Sequence, residues 1–345
     1  MSDKIIRVGI SIGDLNGIGI EVILKTFEDA RMMEFCTPVI FGATKTFSYQ
    51  KKIFKLNTNF VGVSSAAEAV DGKLNIVNLI KDVPNVEFGK ETKAGGTVAL
   101  QSLQAATEAL KKGEVDVLVT APINKYNIQT EEFKFPGHTD YLATQLEGDS
   151  LMFMVSDGLR IGLLTDHVAV KDIAEHITPE LIERKIETIH ESLRKDFSIQ
   201  KPKIAMLGIN PHSGDNGVIG KEDDDVMKPT IQKIFESGKM VFGPYAADSF
   251  FGSDSYKQFD AVVAAYHDQG LIPFKTLSFG KGVNYTAGLS KVRTSPDHGT
   301  AYGIAGKGEA DPSSFIEALF AAIKIYKNRE EYKTLSANPL KKSNG

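Results

Sequence analysis

Three histidines stand at the same kind of place in this sequence. His167 follows R-I-G-L-L-T-D, His212 follows K-I-A-M-L-G-I-N-P, and His267 follows D-A-V-V-A-A-Y. Each sits where an apolar, strand-like run gives way to a polar loop. In parallel α/β sheets the carboxyl ends of the strands line the ligand crevice. Three neutral imidazoles converging there, with coordination positions left open, would make a catalytic divalent-metal site, zinc being the usual ion. Any one of them alone is as well explained as a hydrogen-bonded loop residue; the repeated position is what argues for metal. His176 and His190 lie beside or within a helical pattern and read as surface residues.

Other residues suit an anion. Phe135-Pro136-Gly137-His138-Thr139-Asp140 precedes a short helical pattern, Tyr141 to Leu146. Thr139 fits an N-cap there. The same free N–H groups, with the hydroxyl and the His138 imidazole, suit a phosphate equally well. Lys275 and Arg293 are cations in glycine-rich surroundings, with Asn284 between them. These residues belong to one stretch, Ala264 to Gly308, which begins by delivering His267 and Asp268 from a strand (Asp260 to Ala265) into a loop. It closes on Asp297-His298-Gly299-Thr300-Ala301 and a glycine-rich run. Polar sequence with so little periodicity is costly to order for packing alone. It reads as the floor of an active site that holds a metal, an anion and a nucleotide. The loop G-D-L-N-G-I-G (Gly13 to Gly19) looks like a phosphate loop, yet it matches neither G-x-G-x-x-G nor the Walker pattern. A tight strand-to-helix turn explains its glycines.

The elements that must position these residues alternate between strand and helix. Strands are expected at Ile5–Ile12, Pro38–Gly42, Leu74–Leu79, Val115–Thr120, Leu151–Ser156, Arg160–Thr165 and Lys203–Ile209. Helices are expected from the first loop to near Phe35 and over Lys93–Gly113. Two more are expected from Thr178-Pro179-Glu180 and over Lys221–Gly238, and a last one from Asp311-Pro312 to about Tyr326, before a frayed tail. Such alternation argues for α/β architecture with a largely parallel sheet. At 345 residues two lobes are expected, and no linker interrupts the chain, so the lobes exchange it more than once.

Bulk properties exclude several classes. A hydrophobic content of 42% with 24% charged residues is ordinary for a soluble globular protein. The net charge of −4 gives no reason to expect nucleic-acid or membrane binding. Cys36 is the only cysteine, which rules out an internal disulfide or a thiolate metal cluster within one chain. The start M-S-D-K-I-I-R-V has no signal-peptide core, and no apolar run approaches the ~18–20 residues of a membrane span. A cytoplasmic protein is expected.

The motifs together resemble one family. G-D-x-x-G-I-G, A-P-I-N-K, F-P-G-H-T-D, T-D-H, I-N-P-H-S-G-D-N-G, Y-H-D-Q-G and K-x-L-S-F-G-K-G-V-N-Y-T-x-G-L-x-x-V-R-T-S-P-D-H-G-T-A run through nearly the whole chain. They resemble the 4-hydroxythreonine-4-phosphate dehydrogenases of vitamin B6 biosynthesis. The resemblance implies an isocitrate/isopropylmalate dehydrogenase-like fold: two α/β/α lobes sharing a largely parallel sheet, with the active site in the cleft. It implies a first, NAD-side lobe of residues 1–122 plus 278–345, and a second lobe, 123–277, carrying the metal ligands and the dimer interface. It assigns one divalent ion (Zn, Mg or Co) to His167, His212 and His267, and substrate contacts to His138, Thr139, Lys275, Asn284 and Arg293. NAD falls to Asp297, His298, Gly299, Thr300 and Ala301. It further implies a homodimer with the metal site at the subunit interface. The first loop departs from the family, which usually has proline and alanine ahead of G-I-G.

The implied reaction oxidises the C3 hydroxyl of 4-phosphooxy-L-threonine with NAD, a Lewis-acid metal stabilising the alkoxide from which hydride leaves. The product, 2-amino-3-oxo-4-phosphooxybutanoate, then decarboxylates to 3-amino-2-oxopropyl phosphate. Asp248, Asp268 and Lys275 are the candidates for general base. Paralogues with the same fold oxidise threonate or erythronate 4-phosphate. A metal-dependent phosphohydrolase would want bridging carboxylates and no D-H-G-T-A loop. A non-catalytic metabolite-binding protein would have no use for three imidazoles.

Overall fold

The structure, a computed structural model, describes residues 5–131 and 133–338. In chain order it runs β1 (Arg7–Ser11), α1 (Gly19–Thr26), β2 (Thr37–Gly42), α2 (Thr44–Phe54), β3 (Phe60–Val63), β4 (Leu74–Asn78), α3 (Lys93–Lys112), β5 (Val117–Thr120) and α4 (His138–Gln145). The middle holds β6 (Gly148–Val155), β7 (Arg160–Leu163), α5 (Ile173–His176), α6 (Pro179–Lys195), β8 (Lys203–Leu207), α7 (Lys228–Glu236), β9 (Met240–Tyr245) and α8 (Ala247–Gly252). Then follow β10 (Ala261–Ala264), α9 (His267–Leu277), β11 (Val283–Leu289), β12 (Val292–Pro296) and α10 (Ser313–Ser336).

Contacts divide the chain into two units, 1–150 with 280–323, and 151–279 with 324–345. In the first, the strand order is β3-β4-β2-β1-β5-β12-β11, parallel up to the antiparallel pair β12–β11. Its strands are buried on both faces, which is why β1, β2 and β5 read as near-continuous apolar runs. Helix α3 is defined at both ends. Thr92 Oγ1 accepts the Gly95 N–H at 3.1 Å, and Gly113 takes a left-handed φ of 72° past the last turn. Its apolar stripe puts Ala99, Leu103, Ala106 and Leu110 into the core; Leu103→Ala would cost about 2–5 kcal/mol.

In the second unit the order is β6-β7-β10-β8-β9, antiparallel only at β6–β7. Helix α6 begins as its sequence dictates: Thr178 Oγ1 accepts the Leu181 N–H at 3.2 Å, and Pro179 needs no partner for a missing amide. Ile182, Ile186, Ile189 and Leu193 are buried beneath it.

Several elements differ from the sequence expectation. The segment 123–150 packs with the first unit, where Ile128, Phe133, Tyr141, Leu142 and Leu146 enter the core. The first helix stops at Thr26, and a 3₁₀ turn from Ala30 to Glu34 follows, started by Asp29 accepting the Arg31 N–H at 3.0 Å. The helix expected from Lys221 contains a π-helical stretch at Asp223–Met227, just before Pro229, whose missing N–H would interrupt a regular α-helix. The final helix runs ten residues beyond Tyr326, to Ser336. Arg329 is held there by the buried Asp196 at 2.6 Å, and Asn328 donates to the Asp196 carbonyl at 2.6 Å. Of the tail expected to fray, residues 339–345 lie outside the described residues, as do residues 1–4.

The largest difference concerns Ala264–Gly308, which is mostly regular. His267 opens α9, and β11 and β12 form a hairpin through it. The period was hidden because β12 and most of β11 are buried on both faces, and because Gly270 lets α9 lie close to the sheet. A Cβ on Gly270 would stand 2.8 Å from Leu163 and 2.9 Å from Ile161.

Candidate active site

The three histidine-bearing loops leave three adjoining parallel strands, β7, β10 and β8, at their carboxyl ends. Their backbones are cross-braced. Thr165, two residues before His167, donates its N–H at 3.2 Å and its hydroxyl at 2.8 Å to the Ala265 carbonyl. Ala265, two residues before His267, donates its own N–H to Gln269 Oε1 at 2.7 Å, and Gln269 Nε2 donates to the Gly208 carbonyl at 2.7 Å. Gly208 leads toward His212 and has no room for a side chain: a Cβ would meet Asp223 at 2.6 Å and Ser213 at 2.7 Å.

The His212 loop is under strain. His212, Ser213, Gly214, Asp215, Asn216 and Gly217 all have positive φ, a short left-handed helix. Each non-glycine residue there costs on the order of 1 kcal/mol. The buried Asp223 carboxylate offsets this, accepting the Ile209 N–H at 2.9 Å, the Asn210 N–H at 3.1 Å and Asn210 Nδ2 at 3.0 Å. Over-determination of this kind is what keeps strained backbone in place at functional sites.

His167 and His212 are exposed, and the His267 side chain is 42% exposed. His267 Nδ1 pairs with Asp268 at 2.7 Å, which leaves Nε2 for a ligand. Asp268 is thereby engaged in orienting an imidazole. Asp248 is exposed in the first turn of α8, and Lys275 is exposed in the last turn of α9. The donor types and their common sheet edge fit a borderline divalent ion. Among the described residues, however, no group of three or more His, Cys, Asp or Glu closes to coordination distance within one chain. His190, expected at the surface, is only 15% exposed on α6, and burial lowers its pKa.

In the first unit Arg293 and His138 lie near one another, while Lys275 belongs to the second unit. Arg293, on β12, is 1% exposed, and no carboxylate pairs with it among the described residues. Its partners are hydroxyls: Nε and Nη2 donate to Thr120 Oγ1 at 3.1 and 2.6 Å, and Nη1 donates to Thr286 Oγ1 at 3.1 Å. Burial pulls its pKa down, yet a guanidinium stays charged at neutral pH. His138 is half-buried beside it. Burial first, then the positive charges of Arg293 and Lys125, hold its pKa well below 6.5, so the ring is neutral. His138 Nε2, Asp140 Oδ2 and Asn284 Oδ1 are buried without a hydrogen-bond partner among the described residues. A buried cation with no carboxylate partner among the described residues, beside an imidazole nitrogen left unsatisfied, is receptive to an anion. The N-cap of α4 is Gly137, so Thr139 lies inside the first turn and its hydroxyl is not the cap.

Asp297–Ala301 enters no helix or strand. It is tethered by the Asp297 N–H to Ser314 Oγ at 3.2 Å, and Ala301 is left-handed with φ of 46°. His298 Nδ1 contacts the Gly299 carbonyl at 3.0 Å, while Nε2 is buried without a partner among the described residues. An orphaned imidazole nitrogen in an open, glycine-bearing loop fits a polar ligand such as a nucleotide. Sequence reasoning did not single out Thr120, Thr286, Lys125, Asp140, Thr165 or Gln269. Lys125, Asp140, Thr165, Thr286 and Gln269 stood inside motifs already noted; Thr120 acts only through its spatial neighbours and leaves no signal in the sequence.

The family model of the pyridoxal phosphate biosynthetic protein PdxA matches residues 34–322. Over 344 residues the chain is 48% identical to the 4-hydroxythreonine-4-phosphate dehydrogenase of Bacteroides thetaiotaomicron, covering 99% of this chain and 94% of that protein. It is 36% identical to the D-threonate 4-phosphate dehydrogenase of Cupriavidus necator, covering 92% of this chain and 97% of that one. The crystal structure of 4-hydroxythreonine-4-phosphate dehydrogenase from Klebsiella pneumoniae is similar with a TM-score of 0.80 at 30% identity, covering 94% and 98% of the two chains.

Proposed function

This chain is a member of the pyridoxal phosphate biosynthetic protein PdxA family, and we propose that it oxidises 4-phosphooxy-L-threonine at C3 with NAD. The 2-amino-3-oxo-4-phosphooxybutanoate formed is a β-keto acid that loses CO2 to give 3-amino-2-oxopropyl phosphate. The observation that carries this reading is the buried Arg293, paired with no carboxylate among the described residues, beside the neutral His138, a site that asks for an anionic substrate group. Kinship at 48% identity over the whole chain favours the amino-acid phosphate.

Arg293 supplies a fixed positive charge whose orientation Thr120 and Thr286 set. His138 offers one N–H or one lone pair, not a second charge. With Thr139, Asn284 and Lys275, these residues grip phosphate and carboxylate. Such remote binding orients C3 toward the nicotinamide. Asp297, His298, Gly299, Thr300 and Ala301 would hold NAD. His167, His212 and His267 would hold one divalent ion (Zn, Mg or Co), which when bound supplies Lewis-acid stabilisation at the reacting oxygen. Asp268 keeps the His267 ring in register for that role. Asp248 and Lys275 remain the residues to carry the hydroxyl proton. On its family likeness, the enzyme is read as a homodimer with the metal site at the subunit interface. A reaction on a charged metabolite with a nicotinamide cofactor is in keeping with the cytoplasm.

Initial rates on 4-phosphooxy-L-threonine, D-threonate 4-phosphate and D-erythronate 4-phosphate, at one metal concentration and saturating NAD, test the assignment. The first should exceed the others in kcat/KM by at least about 100-fold, since a buried acceptor left unpaired by the wrong analogue is costly. A faster sugar-acid phosphate would replace the substrate and leave the fold and family intact.

A further inference from the structure

The loop Gly13–Gly19 is absorbed neither by the anion site nor by a phosphate-binding pattern, and its contacts show another use. Asp14 and Asn16 are buried, at 0% and 1% exposure. Asp14 Oδ1 accepts the Asn16 N–H at 2.8 Å, and Oδ2 accepts Asn127 Nδ2 at 2.7 Å. Burial first, then the nearby Asp14 charge, raises the pKa of the Tyr302 hydroxyl, and Tyr302 follows directly on Asp297–Ala301. Asn127 Nδ2 also reaches that hydroxyl, at 3.5 Å.

The backbone makes the same junction. The Ile18 N–H donates to the Thr300 carbonyl at 3.1 Å. Gly17 lies so close that a Cβ there would stand 2.9 Å from the Thr300 oxygen and 3.2 Å from its Cβ. A third strip of chain closes the arrangement. The Gly89 N–H donates to the Asn16 carbonyl at 2.9 Å, and a Cβ on Gly89 would be 2.8 Å from the Tyr302 carbonyl. Asn16 is saturated by this strip, its Oδ1 accepting the Glu87 N–H at 2.8 Å and its Nδ2 donating to Lys90 O and Thr92 Oγ1 at 2.9 Å. Thus the glycine loop's side-chain amide and carboxylate and its Ile18 N–H are engaged with Asn127, the 297–302 loop and residues 87–92.

We propose that Asp14 and Tyr302 are positioning residues that clamp the Asp297–Ala301 loop in its nucleotide-receiving shape, the Gly13–Gly19 loop serving as buttress and not as phosphate cradle. This rests on the reading that Asp297–Ala301 holds NAD. The irregular loop has little regular structure of its own, and its left-handed Ala301 is adjacent to the clamp. Without the Tyr302 hydroxyl, the loop keeps its sequence and loses the contact that fixes one end.

The test is NAD+ titration calorimetry on the full-length protein, with steady-state kinetics alongside. Tyr302→Phe removes only the hydroxyl, Asp14→Asn keeps size and burial, and Gly17→Ala displaces Thr300 without altering a polar side chain. Each should weaken NAD+ binding about five- to tenfold. KM for NAD should rise in step, and KM for the phosphorylated substrate should stay within twofold of wild type. In the Tyr302→Phe, Asp14→Asn double variant the two losses should not add, because both break the one linkage through the Asn127 amide. A folded Tyr302→Phe protein with wild-type NAD+ affinity overturns the proposal, as does an equal rise in both KM values, which marks a general structural defect. His298→Ala separates the two readings. If it weakens NAD+ while Tyr302→Phe does not, the clamp fails and the cofactor assignment stands; if neither changes affinity, both fall.

Discussion

Arg293 directs two guanidinium nitrogens, Nε at 3.1 Å and Nη2 at 2.6 Å, onto the single hydroxyl oxygen of Thr120. A hydroxyl can fix the direction of a guanidinium but cannot neutralise it. The charge therefore remains available to a ligand, and the protein bears the cost of burying it. That cost gives the first prediction. Arg293→Met should leave thermal stability unchanged or raise it by on the order of 1 kcal/mol, since an isolated buried charge is replaced by an apolar chain. The same variant should lose at least about 100-fold in kcat/KM for the phosphorylated substrate, the expected loss for a desolvated charge-assisted contact. A large drop in Tm would show that Arg293 is structural.

His138 predicts a pH effect with a definite sign. Its folded pKa lies well below 6.5, so below that pH the unfolded chain binds a proton that the native state refuses. Stability is complete above pH 6.5 and falls as pH drops from there toward the folded pKa, by up to about 1.4 kcal/mol per pH unit. His190, also lowered by burial, adds in the same direction. Urea midpoints from pH 7.5 to 5 should therefore fall less steeply for His138→Gln than for wild type. Identical slopes would remove His138 as a half-buried neutral group.

Asp223 holds the left-handed run that presents His212. Asp223→Asn keeps the volume and turns one accepting oxygen into a donor facing backbone N–H groups. It should cost about 1–3 kcal/mol and weaken cobalt binding about 10- to 100-fold by calorimetry. His212→Ala, which removes a loop side chain, should abolish metal binding while the protein stays folded. Cobalt affinity near wild type in His212→Ala would refute the three-histidine site.

Gln269→Met tests the brace between the His267 and His212 loops. It breaks the bonds to Ala265 and Gly208 without opening a cavity. Metal affinity should fall about tenfold, the lower range for supporting residues that touch no metal. Unchanged affinity would mean that strand pairing alone sets the loop register.

The shared metal site predicts a dimer. Sedimentation should give a mass near twice 37.6 kDa. A monomer that binds one metal ion at full affinity would contradict completion of the site by a second chain.

The sequence by itself determined the local events. The apolar runs of β1, β5, β7, β8 and β10 and the capped starts of α3 and α6 follow from neighbours a few residues apart. So does the placing of His167, His212 and His267 just beyond strand ends, because strand termination is a local matter. Tertiary structure decided what depends on distant partners. Only folding brought Thr120 and Thr286 onto Arg293 and left that cation without a carboxylate among the described residues. Asn127 links Asp14 to Tyr302, residues far apart in the chain, by donating to both. The helix at His267 and the β11–β12 hairpin were hidden because burial on both faces erases the alternation by which strands are read. A side chain's charge is written in the sequence. Whether that charge is neutralised, desolvated or left for a ligand depends on which distant groups the fold places beside it.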